Sequence, residues 1–221
     1  MHILITGVAG ILGQAVVELL HRRGNAILAV DQHDGIVPGT EEIRRLAVDL
    51  ADPQQSRTVI GEYLAQAKPL DAVVHLVGAF DWIPVADSTP DDWWSLHAAN
   101  IGTTLNVLHA ATPHLRNGGA ILCVGAAAAQ RATAGMAPYA AAKSGVARIV
   151  EALSEELKPR AIRVNAVAPA IIDTPRNRAD MPDADPGDWT SPAASAEAIA
   201  FLIGAEARAI NGALIPVTNN G

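Results

Sequence analysis

The 221-residue sequence reads as a single α/β domain, a doubly wound parallel sheet of seven strands in the Rossmann manner. Three observations carry that reading. Short runs rich in Val, Ile and Leu alternate with longer stretches of helical periodicity, the pattern of right-handed strand–helix crossovers. The short runs show little apolar–polar alternation, as expected of strands covered on both faces. A turn spaced Gly-x-x-Gly-x-x-Gly directly follows the first run, where such a sheet binds its ligand.

The elements follow in order. Ile3–Ile5 is the first strand, and Gly13–Arg23 a helix with Ala15, Val16, Leu19 and Leu20 on its apolar face and Gly24 as its stop. Ala26–Val30 is the second strand, and Glu41–Val48 reaches a third that ends at Asp49. Ser56–Ala67 is helical, and Ala72–Leu76 is the fourth strand. Asp91–Leu115 reads as one long helix, with Thr89 as N-cap and Pro90 in its first position. The fifth strand is Ala120–Val124, followed by a second long helix over Pro138–Leu157. Arg163–Val167 and Ala213–Val217 are the sixth and seventh strands. Between them, Asp173–Pro192 carries four prolines and little periodicity, and is expected to be a loop over a substrate site.

Composition excludes several classes. Hydrophobic residues make up 50% and charged residues only 18%, so the chain can bury a core without staples and is no disordered acidic protein. A net charge of −7 argues against a nucleic-acid-binding face and against a polybasic membrane anchor. The single cysteine, Cys123, permits neither an intrachain disulfide nor a Cys-based zinc site. No apolar stretch reaches the roughly 20 residues of a membrane span, and no basic leader opens the chain; a cytoplasmic protein is expected. The seven histidines show no metal-ligand spacing, so no metal is expected.

The turn Thr6-Gly7-Val8-Ala9-Gly10-Ile11-Leu12-Gly13 has a physical use. Glycine there allows a tight turn, close backbone approach to a pyrophosphate, and close helix–strand packing. The helix that starts there offers free N–H groups to phosphate. The same glycines could be merely structural. Asp31, closing the second strand, can accept hydrogen bonds from an adenosine ribose and would repel a 2′-phosphate. Neither Gln32 nor His33 supplies an arginine in its stead. NAD is therefore favoured over NADP, against the alternative of a solvated turn aspartate. Asp49 and Leu50, after the third strand, are placed near the adenine edge.

Tyr139 and Lys143 stand four apart near a helix start and share one face. An ammonium beside a phenol stabilises phenolate and is expected to draw the tyrosine down toward neutrality. Tyr139 would then donate a proton in reduction or accept one in oxidation. Taken alone, the pair could equally be two surface residues.

With these pieces together, the chain resembles the short-chain dehydrogenase/reductase family over nearly its whole length. The matching residues are Thr6-Gly7, Gly10, Gly13, Asp31, Asp49-Leu50, Gly78, Asn100, Tyr139-Ala-Ala-Ala-Lys143, Asn165-Ala-Val-Ala-Pro169, and the closing Ile210–Val217. The resemblance implies hydride transfer with Tyr139 as acid/base and Lys143 as its tuner and ribose ligand. It implies Asn100 as a kink residue ordering a proton-relay water, with Val77 and Gly78 beside the cofactor. Pro169, Ile172 and Thr174 would lie along the nicotinamide. It also implies a homodimer or homotetramer, paired through the two long helices.

One departure is large. Where that family carries a catalytic serine this chain has Ala126, and Ala127–Ala129 offer no hydroxyl. A missing donor of that kind costs about 10²–10³ in rate on an ordinary carbonyl. The run Gly125–Ala128, the run Gly135–Tyr139, and the segment Asp173–Asp185 followed by Trp189-Thr190 resemble the dihydropteridine reductases, which also lack the serine. That resemblance implies NADH reducing a flat quinonoid pterin, with Phe80, and Trp82 two residues on, as the aromatics against the substrate. These aromatics could instead be core or subunit contacts. Two other readings stay open. One is a general dehydrogenase of a ketone or alcohol, with water or Thr133 replacing the serine. The other is a catalytically silent NAD-binding sensor or scaffold.

Overall fold

The computed structural model describes residues 1–32, 39–40 and 43–218. Seven parallel strands form one sheet in the order β3-β2-β1-β4-β5-β6-β7. They are β1 (His2–Thr6), β2 (Ala26–Asp31), β3 (Arg44–Ala47), β4 (Leu70–His75), β5 (Leu115–Val124), β6 (Arg163–Pro169) and β7 (Leu214–Val217). The order reverses between β1 and β4, which opens a crevice beyond their carboxyl ends. All seven expected strands are present. His33, Glu41 and Glu42 lie outside the described residues, so the entry to the third strand is described only from Ile43.

Each face of the sheet has its own core. On one, α1 (Ile11–Arg22) and α8 (Pro192–Ile203) pack together over Ile3, Ile5, Val74 and Leu122. On the other, α3 (Gly61–Gln66), α5 (Thr103–Ala111) and α6 (Ala137–Glu156) cover Leu4, Val73, Ile121 and Val164. Successive strand residues thus feed opposite cores, which is why neither face shows a polar stripe.

The helix boundaries differ from the expected ones for local reasons. The helix expected from Ser56 begins at Pro53 as α2 (Pro53–Gln55), because the Asp52 side chain accepts hydrogen bonds from Gln54 and Gln55 N–H. It runs through a π turn, Ser56–Ile60, into α3. The long helix expected to Leu115 starts as foreseen, with Thr89 and Asp92 forming a capping box around Pro90 in α4 (Pro90–His97). A π turn at Ala98–Gly102 interrupts it before α5. It stops short, and Leu115 already belongs to β5, whose Arg116–Gly119 stretch was not read as strand. α8 was not anticipated. Its alanine-rich sequence lacks an amphipathic stripe, since it packs against α1 on one side and the sheet on the other. The Asp173–Pro192 segment is partly ordered as α7 (Pro175–Asp180) and one 3₁₀ turn. On α6, Val146 and Val150 point into the core, while Ile149 and Leu153 are only partly buried and Leu105 of α5 is exposed.

Candidate active site

A cleft of about 530 Å³ lies at the strand-order reversal, at the carboxyl ends of β1, β4, β5 and β6. Its floor on one side is the glycine turn. Gly7 has φ +76, and a Cβ there would lie 3.1 Å from Val77 N, so only glycine lets the end of β1 press against the end of β4. A Cβ on Gly13 would come within 2.1 Å of the Gly7 carbonyl oxygen, so α1 can approach β1 this closely only without a side chain. Gly10 is the N-cap of α1 and brings no capping side chain. The first N–H groups of α1, at Ile11, Leu12 and Gly13, therefore face the cleft without a side-chain acceptor.

Asp31, at the tip of β2, accepts hydrogen bonds from Ala9 N (2.9 Å) and Gln32 N (2.8 Å). Its carboxylate braces the glycine turn, and Asp31 itself is not among the residues lining the cleft. Asp49 accepts a bond from Ala51 N and caps the turn after β3. Leu50 is buried in the second core, and its carbonyl accepts from Asn106 Nδ2.

The opposite wall carries the ionisable groups. Tyr139 and Lys143 lie on one face of α6, with the ammonium 6.0 Å from the phenol ring centroid. Lys143 is only 4% exposed, and its Nζ donates to the Val124 carbonyl at 2.9 Å. Burial lowers its pKa to about 8. Burial also pushes the Tyr139 phenol up to about 12. The expected lowering of the phenol is thus absent: the ammonium is held by Val124, and desolvation of the phenol outweighs it. Phe80 packs edge-on to Tyr139, with ring centroids 4.9 Å apart, and remains 44% exposed to the cleft.

Asn100 lies in the π turn. Its amide donates to the carbonyls of Leu96 (2.8 Å) and Ala79 (3.0 Å) and accepts from Ala79 N (3.3 Å). It thereby holds the loop after β4 that carries Gly78 and Phe80. A Cβ on Gly78 would lie 2.6 Å from Asn100 Oδ1 and 2.9 Å from Lys143 Nζ, so the backbone here fits between both side chains. Beneath them His75 is fully enclosed, bonded through Nδ1 to Thr6 Oγ1 (2.7 Å) and near Thr103 Oγ1 (3.4 Å). Burial, aided by Lys143, lowers its pKa to about 3.

Of the expected site residues, the cleft wall brings together Gly7, Gly10, Ile11, Leu12, Gly13, Gly78, Phe80, Tyr139, Lys143, Ile172 and Thr174. Others stand outside it. Ala126 is 4% exposed, so its methyl is part of the wall's support. Trp82 lies over Gly135, whose φ of +75 and bare Cα admit the indole. Pro169 ends β6 paired with Val217. Leu76, Ala79 and Val124 also line the cleft, as do Pro175 and Arg176 of the segment expected over a substrate site. The first three lie at or just beyond strand ends; Arg176 follows the expected Thr174 on α7 and could have been named with it.

The chain's own residues fit a dinucleotide: a glycine-rich turn at a helix N-terminus for phosphates, a carboxylate at the β2 tip, and a half-buried tyrosine with a buried lysine beside open space. Residues 7–219 match a family model described as enoyl-(acyl carrier protein) reductase. A short-chain dehydrogenase/reductase of Pyricularia oryzae, ABA4, is 27% identical, over 96% of this chain and 88% of its own. The 3-oxoacyl-[acyl-carrier-protein] reductase FabG of Salmonella typhimurium is 26% identical, over 97% of this chain and 94% of its own. The crystal structure of a short-chain oxidoreductase from Burkholderia thailandensis superposes with TM-score 0.87 at 28% identity, covering all of this chain and 91% of that one. Fold, cleft and family match agree, and the chain belongs to the short-chain dehydrogenase/reductase family of NAD(P)H-dependent oxidoreductases.

Proposed function

We propose that this protein is an NADH-dependent reductase of a planar, quinonoid, pterin-like substrate, with Tyr139 as proton donor. The observation that carries the reading is the half-exposed ring of Phe80 packed beside an intact Tyr139–Lys143 site, in a chain that has a buried alanine, Ala126, where the family resemblance expects a hydroxyl. A flat heteroaromatic can be held by its face against Phe80 and needs no oxygen-gripping donor. The nicotinamide, when bound, supplies the hydride. Reduction also consumes a proton, and a phenol raised to about 12 is fully protonated at neutral pH. The buried Lys143 ammonium supports the phenolate left behind. Asn100 keeps the Gly78–Phe80 loop against the pair. Asp31 favours the nucleotide without a 2′-phosphate.

A second reading, a general ketone reductase, draws on the similarity to a ketoacyl reductase. Thr133 serves it poorly, since its hydroxyl is exposed and donates to Met136 Sδ at 3.2 Å. A silent NAD-binding protein would use Lys143 for the ribose at most and has no need of Tyr139 beside it.

The test is NADH oxidation with freshly generated quinonoid dihydropterin beside a panel of ketones, repeated with Ala126→Ser. The pterin reading expects turnover of the quinonoid compound and little change on restoring the serine. Turnover of ketones alone, increased markedly by Ala126→Ser, would replace it with the second reading; no turnover of either would leave the sensor.

A further inference from the structure

We propose that Arg176 selects substrates carrying an anionic group, a carboxylate or a phosphate, on the end remote from the reduced ring. The inference rests on the reading of the cleft as a hydride-transfer site. Among the described residues lining the cleft, the charged side chains are Lys143 and Arg176, and none is a carboxylate. Lys143 is enclosed and bonded to Val124. Arg176 is different: its side chain is 79% exposed, and its one ion pair is Nε to Asp180 at 3.5 Å. Such an exposed i,i+4 pair holds a guanidinium weakly.

Its neighbours are committed elsewhere. Arg178 binds Asp173 through two bonds of 2.6 and 2.7 Å. Asn177 donates to the Ile172 carbonyl. Thr174 caps α7 by accepting from Asn177 N, so the position from which Arg176 leaves the backbone is set. A planar fork with spare donors, anchored at its root and open at its tip, suits bidentate binding of a carboxylate or phosphate. In a molecule of net charge −7, a cleft whose only side-chain charges are positive draws anions selectively. The cofactor's own phosphates already have the uncapped N-terminus of α1. A substrate that lacks a hydroxyl partner at Ala126 needs another contact to orient it, and Arg176 provides one.

The experiment measures, by calorimetry on the NADH-saturated protein, two pairs of planar ligands matched except in charge: pterin carboxylate with methylpterin, and naphthoate with naphthamide. The carboxylates are expected to bind about tenfold or more tightly than their neutral partners, the size of a charge-assisted hydrogen bond. Arg176→Met should abolish that preference, and Arg176→Lys should restore part of it. Equal binding within each pair, no binding of any ligand, or a preference that survives Arg176→Met would overturn the proposal. So would a loss of NADH affinity in Arg176→Met greater than the loss for the carboxylates, which would assign the guanidinium to the cofactor. Discrimination in the naphthalene pair without binding of either pterin would sink the pterin reading while leaving Arg176 as the anion-selecting residue.

Discussion

Replacing Gly78 by alanine should damage catalysis as well as stability. The new Cβ would stand 2.6 Å from Asn100 Oδ1 and 2.9 Å from Lys143 Nζ, where ordinary contact begins near 3.4 Å. Both neighbours are side-chain ends and can move, but each must give by several tenths of an ångström. Asn100 is enclosed and makes three bonds to backbone, so its retreat weakens the contact with Ala79 N that is already 3.3 Å long. Lys143 must shift against its bond to Val124. Overpacking of this kind costs about 1–3 kcal/mol. In a domain of this size that lowers Tm by roughly 2–12 °C. A misplacement approaching an ångström at the reacting groups costs on the order of 10²-fold in rate. The assay is kcat and NADH affinity of Gly78→Ala beside its Tm, with Gly61→Ala as control, because a Cβ at Gly61 meets nothing within 4 Å. The control should keep full activity and gain about 0.5–1 kcal/mol from the helix interior. A Gly78→Ala protein with kcat within threefold of the parent would refute the idea that Gly78 holds Asn100 and Lys143 in register.

Tyr139→Phe should lower kcat by roughly 10²–10⁴ with NADH affinity little changed, whereas Lys143→Ala should reduce both; steady-state kinetics and fluorescence titration separate the two. NADH should bind at least about tenfold more tightly than NADPH because Asp31 would face the 2′-phosphate, and equal titration curves would remove Asp31 from the ribose site. His75, with its pKa lowered from 6.5 to about 3 by burial, stays neutral in the fold while the unfolded chain takes up its proton. Its contribution to stability is therefore complete above pH 6.5 and declines as pH falls toward 3, by up to about 1.4 kcal/mol per pH unit. Urea midpoints measured from pH 7 to 4 should fall less steeply for His75→Asn, and parallel slopes would contradict this. Sedimentation at micromolar concentration should give a dimer or tetramer through the side of α5 and α6 bearing Leu105, Ile149 and Leu153, a surface that a Leu153→Glu substitution should open.

What the sequence by itself determined was everything encoded locally. Strands declared themselves by apolar runs, the first long helix by Thr89-Pro90, the turn after β1 by three glycines, and the Tyr–Lys pair by a four-residue spacing that survives in any helix. Ala126 was likewise legible as a missing hydroxyl. Tertiary structure decided the rest, because the causes are non-local. α8 is uniformly apolar along much of its length, since two layers cover it, so periodicity could not announce it. The bonds of Asn100 to Ala79 join residues 21 apart in the chain, which no local pattern records. The pKa of the Tyr139 phenol shifts up rather than down because burial, which no spacing records, disfavours the phenolate. Arg176 and Arg178 look alike in sequence; only folding assigned one to Asp173 and left the other facing the cleft.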